Sequence, residues 1–225
     1  AGITKVPTTS ENLNKKKEKK IYNNSVNIMK NIIKYSHPKQ KIIFPSTHLV
    51  FENCKINKCI FTENSSPLPN LAYASGKLEC EKILSKNNIN YCILRLGSVY
   101  GFAEKKRMFN LPNLFVLRTK QNLNLKLFSG GVQIKSIVSV EDVARAMILL
   151  SKTIFKKQLY HFVSEHLTVH EIGRICATQN RSTKLILTKD KIPYTGYYMN
   201  CSKILNTGFK FLNSYKKFVK SYINS

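Results

Sequence analysis

The sequence predicts an α/β fold, with helices covering both faces of a doubly wound parallel sheet. Up to about residue 100, stretches of helical apolar period alternate with short apolar runs of strand length, the order helix, strand, helix, strand expected of βαβ units. Downstream, a second pair of strand-then-helix steps repeats the alternation. The composition agrees: 43% apolar and 22% charged residues over 225 positions belong to a globular chain with a sizeable core.

The elements follow in order. "IYNNSVNIMKNIIKYS" sets Val26, Met29, Ile32 and Ile33 at helical period and stops before His37 and Pro38. "KIIFPS" is a strand, and "NLAYASGKLECEKIL" (residues 70–84) is a helix with leucines and isoleucine on one side. "INYCILRLGSVYG" holds a buried strand, Tyr91 to Leu96, that runs out at Gly97 and Gly101. "IKSIVSV" is a strand leading into the helix "EDVARAMILLSK", whose first-turn acids suit the helix dipole. "LYHFVS" reads as a strand; "TVHEIGRICA" opens with Thr168 and Glu171 at capping-box spacing; "TKLILT" is a short strand and "SYKKFVKSYI" an amphipathic helix. No internal repeat is present.

The formal charge of +25 would ordinarily suggest a polyanionic partner. The lysines, however, are scattered among abundant Asn and Ile, the bias of an AT-rich coding sequence, and the densest run, "NKKKEKK" at residues 14–20, reads as a solvated loop and helix start. A nucleic-acid partner is therefore not expected. Without an apolar run of membrane-spanning length or a basic-then-apolar opening, a cytoplasmic protein is expected. The six cysteines form no paired C-x-x-C units, so neither zinc nor a disulfide framework is indicated.

One local pattern carries chemistry. Tyr73 and Lys77 stand four apart on the predicted helix, on one face and about 5–6 Å apart at Cβ, close enough for an ammonium to act on a phenol. With 11 tyrosines and many lysines the spacing alone is weak, and a second match, Tyr35 and Lys39, is interrupted by Pro38. The flanking sequence must decide. None of the nine glycines supplies the strand-then-glycine-rich turn that opens a dinucleotide-binding fold. An N-terminal portion of roughly 60 residues is expected to precede Ala1, about two βαβ-sized pieces.

Four segments in order resemble the extended short-chain dehydrogenase/reductase family, the nucleotide-sugar epimerases and dehydratases. "IIFPSTHLVFE" is similar to the family's strand ending in Ser-Ser/Thr-x-x-Val-Tyr-Gly, and "AYASGK" to its Tyr-x-x-x-Lys. "LRLGSVYG" resembles Leu-Arg-x-x-Asn-x-Tyr-Gly-Pro, and "IVSVEDVARA" resembles Val-His-Val-Asp-Asp-Val-Ala. "AGI", "NNSV" and "LNTGFKF" add weaker matches. The resemblance implies a Rossmann-like fold lacking its glycine-rich portion. Residues 1–110 would be the rest of the NAD(P)-binding domain with the catalytic residues. Residues 111–225 would be a mixed substrate-binding region, from which 134–164 return to the core.

The resemblance also implies roles. Thr47 falls on the catalytic Ser/Thr position, with Tyr73 as acid/base and Lys77 as its partner and a ligand of the nicotinamide ribose. A free phenol, with pKa near 10, needs such a cation to act as a base at neutral pH. Gly2, Asn24 and Gly97 match positions lining NAD or NADP. Ser98 stands where a substrate-contacting Asn is usual, and Lys135 where an Arg often holds the nucleotide phosphate; Lys lacks the planar fork. Phe102 replaces the usual Pro. His48 and Leu49 occupy the positions of the acidic pair that follows the threonine in 4,6-dehydratases, and leucine transfers no proton.

The expected activity is therefore an NAD(P)-dependent epimerase or reductase of a nucleotide sugar, with a homodimer expected in its family's manner and the chain as given inactive. The alternative is a non-catalytic protein of the same fold whose basic surface binds RNA or another polyanion. His166 and His170, four apart, lack a third ligand, and no metal site is expected.

Overall fold

The strand Asn90–Leu96 sorts its side chains between two layers. Tyr91 and Ile93 pack with Met29, Cys80 and Leu84 on one side; Cys92, Leu94 and Leu96 pack with Val143, Ala146, Leu150 and Phe162 on the other. A strand buried on both faces reads as a continuous apolar run, as this one does. The computed structural model describes residues 14–37, 39–53, 60–102, 110–153, 156–190 and 196–225. In chain order it contains α1 (Lys15–Tyr35), β1 (Lys41–Thr47), β2 (Ile60–Phe61), α2 (Ala72–Lys86), β3 (Asn90–Leu96), β4 (Ser98–Tyr100), α3 (Leu111–Lys120) and β5 (Leu125–Leu127). There follow β6 (Ile134–Ser139), α4 (Val140–Lys152), β7 (Gln158–Phe162), β8 (Glu165–Thr168), α5 (Val169–Ala177), β9 (Leu185–Leu187), β10 (Tyr198–Met199), α6 (Ser202–Leu205) and α7 (Tyr215–Asn224).

The central sheet is parallel in the order β1-β3-β7, with α1 and α2 on one face and α4 on the other, a Rossmann-like α/β architecture. Its register pairs Thr47 with Leu96 and Leu96 with Phe162, so the three strands end side by side. In open α/β sheets ligands gather outside this carboxyl edge.

At that edge the chain changes sheets. Gly97 donates its N–H to Phe162 O at 3.1 Å, and β4 then leaves to pair in parallel with β6, which pairs antiparallel with β8. A Cβ on residue 97 would lie 2.8 Å from Ser136 O, so the crossing of β4 over β6 itself requires glycine. The second layer of packing, around Tyr100, Phe115, Leu127, Ile137, Ile172 and Tyr215, lies beyond this crossing.

Two segments differ from the sequence reading. The lysine run, read as loop and helix start, is helix start from Lys15 onward: Asn14 Oδ1 accepts from Lys16 N at 3.1 Å and Lys17 N at 3.2 Å, and lysine is a good helix former. The strand through Leu96 ends before Gly97 as read, but a further strand not expected, β4, follows in a second sheet. The capping box of α5 is formed as the spacing predicts, with Thr168 Oγ1 accepting from Glu171 N and Glu171 Oε2 accepting from Thr168 N. Among the described residues no helix is long and apolar enough to cross a membrane.

Candidate active site

The site begins at the N-terminus of α2, which has no side-chain cap of its own. Carboxylates from elsewhere take that place: Glu52 Oε1 accepts from Asn70 N at 2.9 Å and Leu71 N at 2.6 Å, and Glu18 Oε2 from Ala72 N at 2.9 Å. These anions satisfy orphan N–H groups and oppose the positive end of the helix dipole. Burial raises the Glu52 carboxyl pKa, against the pull of those N–H bonds. Half-buried Tyr73, the second residue of α2, is thereby held at a fixed entry to the helix.

One turn on, Lys77 Nζ donates to Pro45 O at 2.7 Å and lies 4.6 Å from the centre of the Phe44 ring. Burial lowers its pKa, partly offset by Cys80 and Glu81. Between the two, Gly76 lets α1 come close: a Cβ there would sit 3.3 Å from Ser25 Cβ and 3.4 Å from Tyr22 Cα. Asn24, the residue before Ser25 in α1, is half-buried; Gly2 lies outside the described residues.

Thr47 ends β1 and is buried. Its Oγ1 accepts from Leu49 N at 3.2 Å and caps a short 3-10 turn, His48–Phe51, which leaves the hydroxyl proton to donate elsewhere. Pro45 and Thr47, two apart, share a face of the strand roughly 7 Å from one another along it. Lys77 is thus tied to β1 two residues before Thr47, and Tyr73 lies one turn earlier on the same helix.

Beneath them lies a buried ion pair. Arg95 Nη2 donates to Glu81 Oε2 at 2.7 Å and Arg95 Nε to the same carboxylate at 3.2 Å, while Ser46 Oγ donates to Glu81 Oε1. Ser46 precedes Thr47 and Glu81 lies one turn past Lys77, so the pair braces both elements from below.

On the other side stands His48, buried, with its pKa pushed down to about 3 by burial first and then by the charges of Lys135 and His166. Its Nδ1 is 3.1 Å from the Tyr197 hydroxyl and its Nε2 3.5 Å from Ser98 Oγ. Ser98 and half-buried Lys135 thus lie on the same side as His48. Phe102 instead stacks on Tyr222, with ring centres 5.2 Å apart, a packing role. The His166 ring meets Ser136 Oγ at 3.0 Å and Met199 O at 3.1 Å, which accounts for both its nitrogens.

Several of these groups escaped the sequence reading. Arg95 inside an apolar strand was the available signal, since a charge there must find a buried partner. Glu52, Glu18 and Tyr197 gave none, because each acts on residues far away in the chain.

Known protein structures share this fold. Among solved structures the chain is similar to the UDP-glucose 4-epimerase of Thermotoga maritima, crystallised with UDP-glucose: 18% identity, TM-score 0.81, covering 93% of this chain and 71% of that one. It is equally similar to the Bacillus cereus UDP-glucuronic acid 4-epimerase in complex with UDP-glucuronic acid and NAD, at 18% identity, TM-score 0.81 and coverage of 99% and 73%. It also resembles a dTDP-glucose 4,6-dehydratase of Streptomyces venezuelae, with NAD bound, at 19% identity, TM-score 0.75 and coverage of 91% and 66%. A search of curated proteins gives no match. The family model for the NAD dependent epimerase/dehydratase family matches residues 8–162. That match takes in more than half of the chain, including the strand of Thr47 and the helix of Tyr73 and Lys77, and the chain belongs to this family.

Proposed function

We propose that the protein is an NAD(P)-dependent epimerase or reductase of a nucleotide-activated sugar, with Tyr73 as acid/base, Lys77 as its cationic partner and Thr47 as the hydroxyl that orients the substrate. The observation that carries this reading is the bond from Lys77 to Pro45, which ties the Tyr73 helix to the Thr47 strand at the carboxyl edge of the sheet.

The residues fit a dinucleotide. Lys77 has three N–H donors, one of which goes to Pro45 O, leaving donors for ribose hydroxyls. When bound, NAD(P) supplies the hydride acceptor for an alcohol carbon of the sugar. Everything else falls to the chain. Thr47 hydrogen-bonds the substrate hydroxyl, Tyr73 takes its proton, and the ammonium of Lys77 favours the phenolate that does so. Gly2, Asn24 and Gly97 line the cofactor in this reading, and Ser98 and Lys135 meet the substrate, Lys135 as a point charge on phosphate.

Epimerisation or reduction is favoured over dehydration because the positions after Thr47 hold no usable acid and base. Leu49 has no proton to transfer. His48, with its pKa near 3, is neutral and enclosed at physiological pH. A two-part organisation at about residue 110, a cytoplasmic homodimer, and weak NAD(P) binding by residues 1–225 alone belong to the same proposal, the last because the nine glycines include no phosphate-cradling turn.

A second reading draws on where the acids sit. Glu18, Glu52, Glu63, Asp142, Glu165 and Glu171 all accept from main-chain N–H groups, which leaves the lysines to dominate the outer surface. Such a surface favours polyanions, and affinity for single-stranded RNA falling steeply with salt would support it.

The deciding experiment adds UDP-glucose, UDP-glucuronic acid or dTDP-glucose to the NAD(P)-loaded complete polypeptide and follows the near-ultraviolet band of reduced nicotinamide. Reduction with at least one sugar supports the enzymatic reading; no reduction with any, alongside tight RNA binding, supports the second.

A further inference from the structure

Tyr197 lies 149 residues from His48 in the chain, yet its hydroxyl donates to His48 O at 2.6 Å while His48 Nδ1 approaches the same oxygen at 3.1 Å. A phenol has one proton. Since that proton goes to the carbonyl, the phenol oxygen accepts, and Nδ1 carries the imidazole hydrogen. His48 is therefore the Nδ1–H tautomer, with its Nε2 lone pair facing Ser98 Oγ.

The two bonds clamp both the backbone and the side chain of the residue after Thr47. His48 opens the 3-10 turn whose second residue, Leu49, gives its N–H to Thr47 Oγ1, so the turn sets the direction of the threonine hydroxyl. Tyr197 is itself fixed. It is buried, its ring packs edge-on against Phe51 and Phe61, and its main-chain oxygen accepts from Ser136 Oγ at 3.2 Å. Two residues on, the Met199 main chain meets His166, and β10 pairs with β2. The segment 197–199 thus joins β6 and β8, the strands of Lys135 and His166, to the turn that aims Thr47.

We propose that Tyr197 and His48 form a positioning pair for Thr47, through which residues 197–199 hold its hydroxyl in register with the substrate side of the site. The proposal rests on the role given to Thr47 above. The Tyr197 hydroxyl proton and the His48 Nδ1–H are both committed within the pair, which assigns it positioning rather than proton transfer.

The test uses the NAD(P)-loaded complete polypeptide and whichever of UDP-glucose, UDP-glucuronic acid or dTDP-glucose the wild type turns over. Tyr197→Phe should lower kcat by up to about 100-fold, the loss that a small misplacement of a reacting group causes, with KM within about 2-fold. His48→Ala should do the same, and His48→Asn, which keeps a donor near the Nδ1 position, should lose several-fold less. In a Thr47→Ala background Tyr197→Phe should cost nothing further, because the pair acts only through that hydroxyl. Nitrogen-edited imidazole spectra should show the Nδ1–H tautomer for His48 in the wild type.

Undiminished kcat in Tyr197→Phe, a full additional loss in the Thr47→Ala background, or an Nε2–H tautomer overturns the proposal. A wild type that turns over none of the sugars overturns instead the enzymatic reading beneath it, and the positioning role with it.

Discussion

Lys77 Nζ donates to the main-chain oxygen of Pro45 at 2.7 Å, two residues before Thr47, so this hydrogen bond, together with that of Ser46 to Glu81, couples the helix of the phenol to the strand of the hydroxyl. Replacing Lys77 with Met keeps the length of the stem and removes both the bond and the charge. Turnover of the NAD(P)-loaded protein should fall by about 10²–10⁴, the range for a disabled acid/base group, with the loss chiefly in kcat. Steady-state kinetics check this, and a loss confined to KM contradicts it.

The Glu81 and Arg95 side chains are each about 4% exposed and make a two-pronged pair. Among the described residues Arg95 Nη1 has no hydrogen-bond partner. Glu81→Ala leaves a buried guanidinium uncompensated and should destabilise the fold by roughly 3–5 kcal/mol, whereas the double replacement by Met should recover most of that. Urea unfolding of the three proteins measures both.

Gly97 has two explanations that one substitution separates. An added Cβ would lie 2.8 Å from Ser136 O, so Gly97→Ala should cost about 1–3 kcal/mol of stability without any cofactor present. Thermal unfolding of the cofactor-free protein that is unchanged by the substitution would leave only the approach of a ligand to account for the glycine.

His161 is buried in β7 opposite Arg95 of β3, and its pKa is pushed down to about 3, by burial first and then by the Arg95 charge. The folded ring is neutral, while the unfolded one takes up a proton near pH 6.5. Its contribution to stability is therefore complete above about pH 6.5 and is lost as pH falls from there toward 3, at up to ~1.4 kcal/mol per pH unit. Burial raises the carboxyls of Glu52 and Glu165, which act in the opposite sense, so the effect is read by difference. In urea titrations between about pH 7 and pH 5, His161→Asn should flatten the slope by about one proton.

What could be read from the sequence was what neighbours in the chain decide. The capping box of α5, the acids opening α4 and the continuous apolar run of β3 depend on residues within a turn or a strand of each other, and Tyr73 with Lys77 is a spacing on one helix. The three strands that end together at Thr47, Leu96 and Phe162 follow from apolar runs of equal character. What could not be read depends on distant partners. Glu18 and Glu52 cap α2 from other elements, β2 and β10 are two-residue strands with no pattern of their own, and Tyr197 reaches His48 across most of the chain. The antiparallel pairing of β8 with β6 was hidden for the same reason.

The most direct test of the whole account is Tyr73→Phe in the NAD(P)-loaded complete polypeptide, with turnover of the nucleotide sugar and cofactor affinity measured on the same preparation. Removing one oxygen should abolish turnover, since the proposed acid/base is that phenol, while NAD(P) binds as before. Turnover close to that of the wild type would contradict the assignment of Tyr73 and the chemistry built on it.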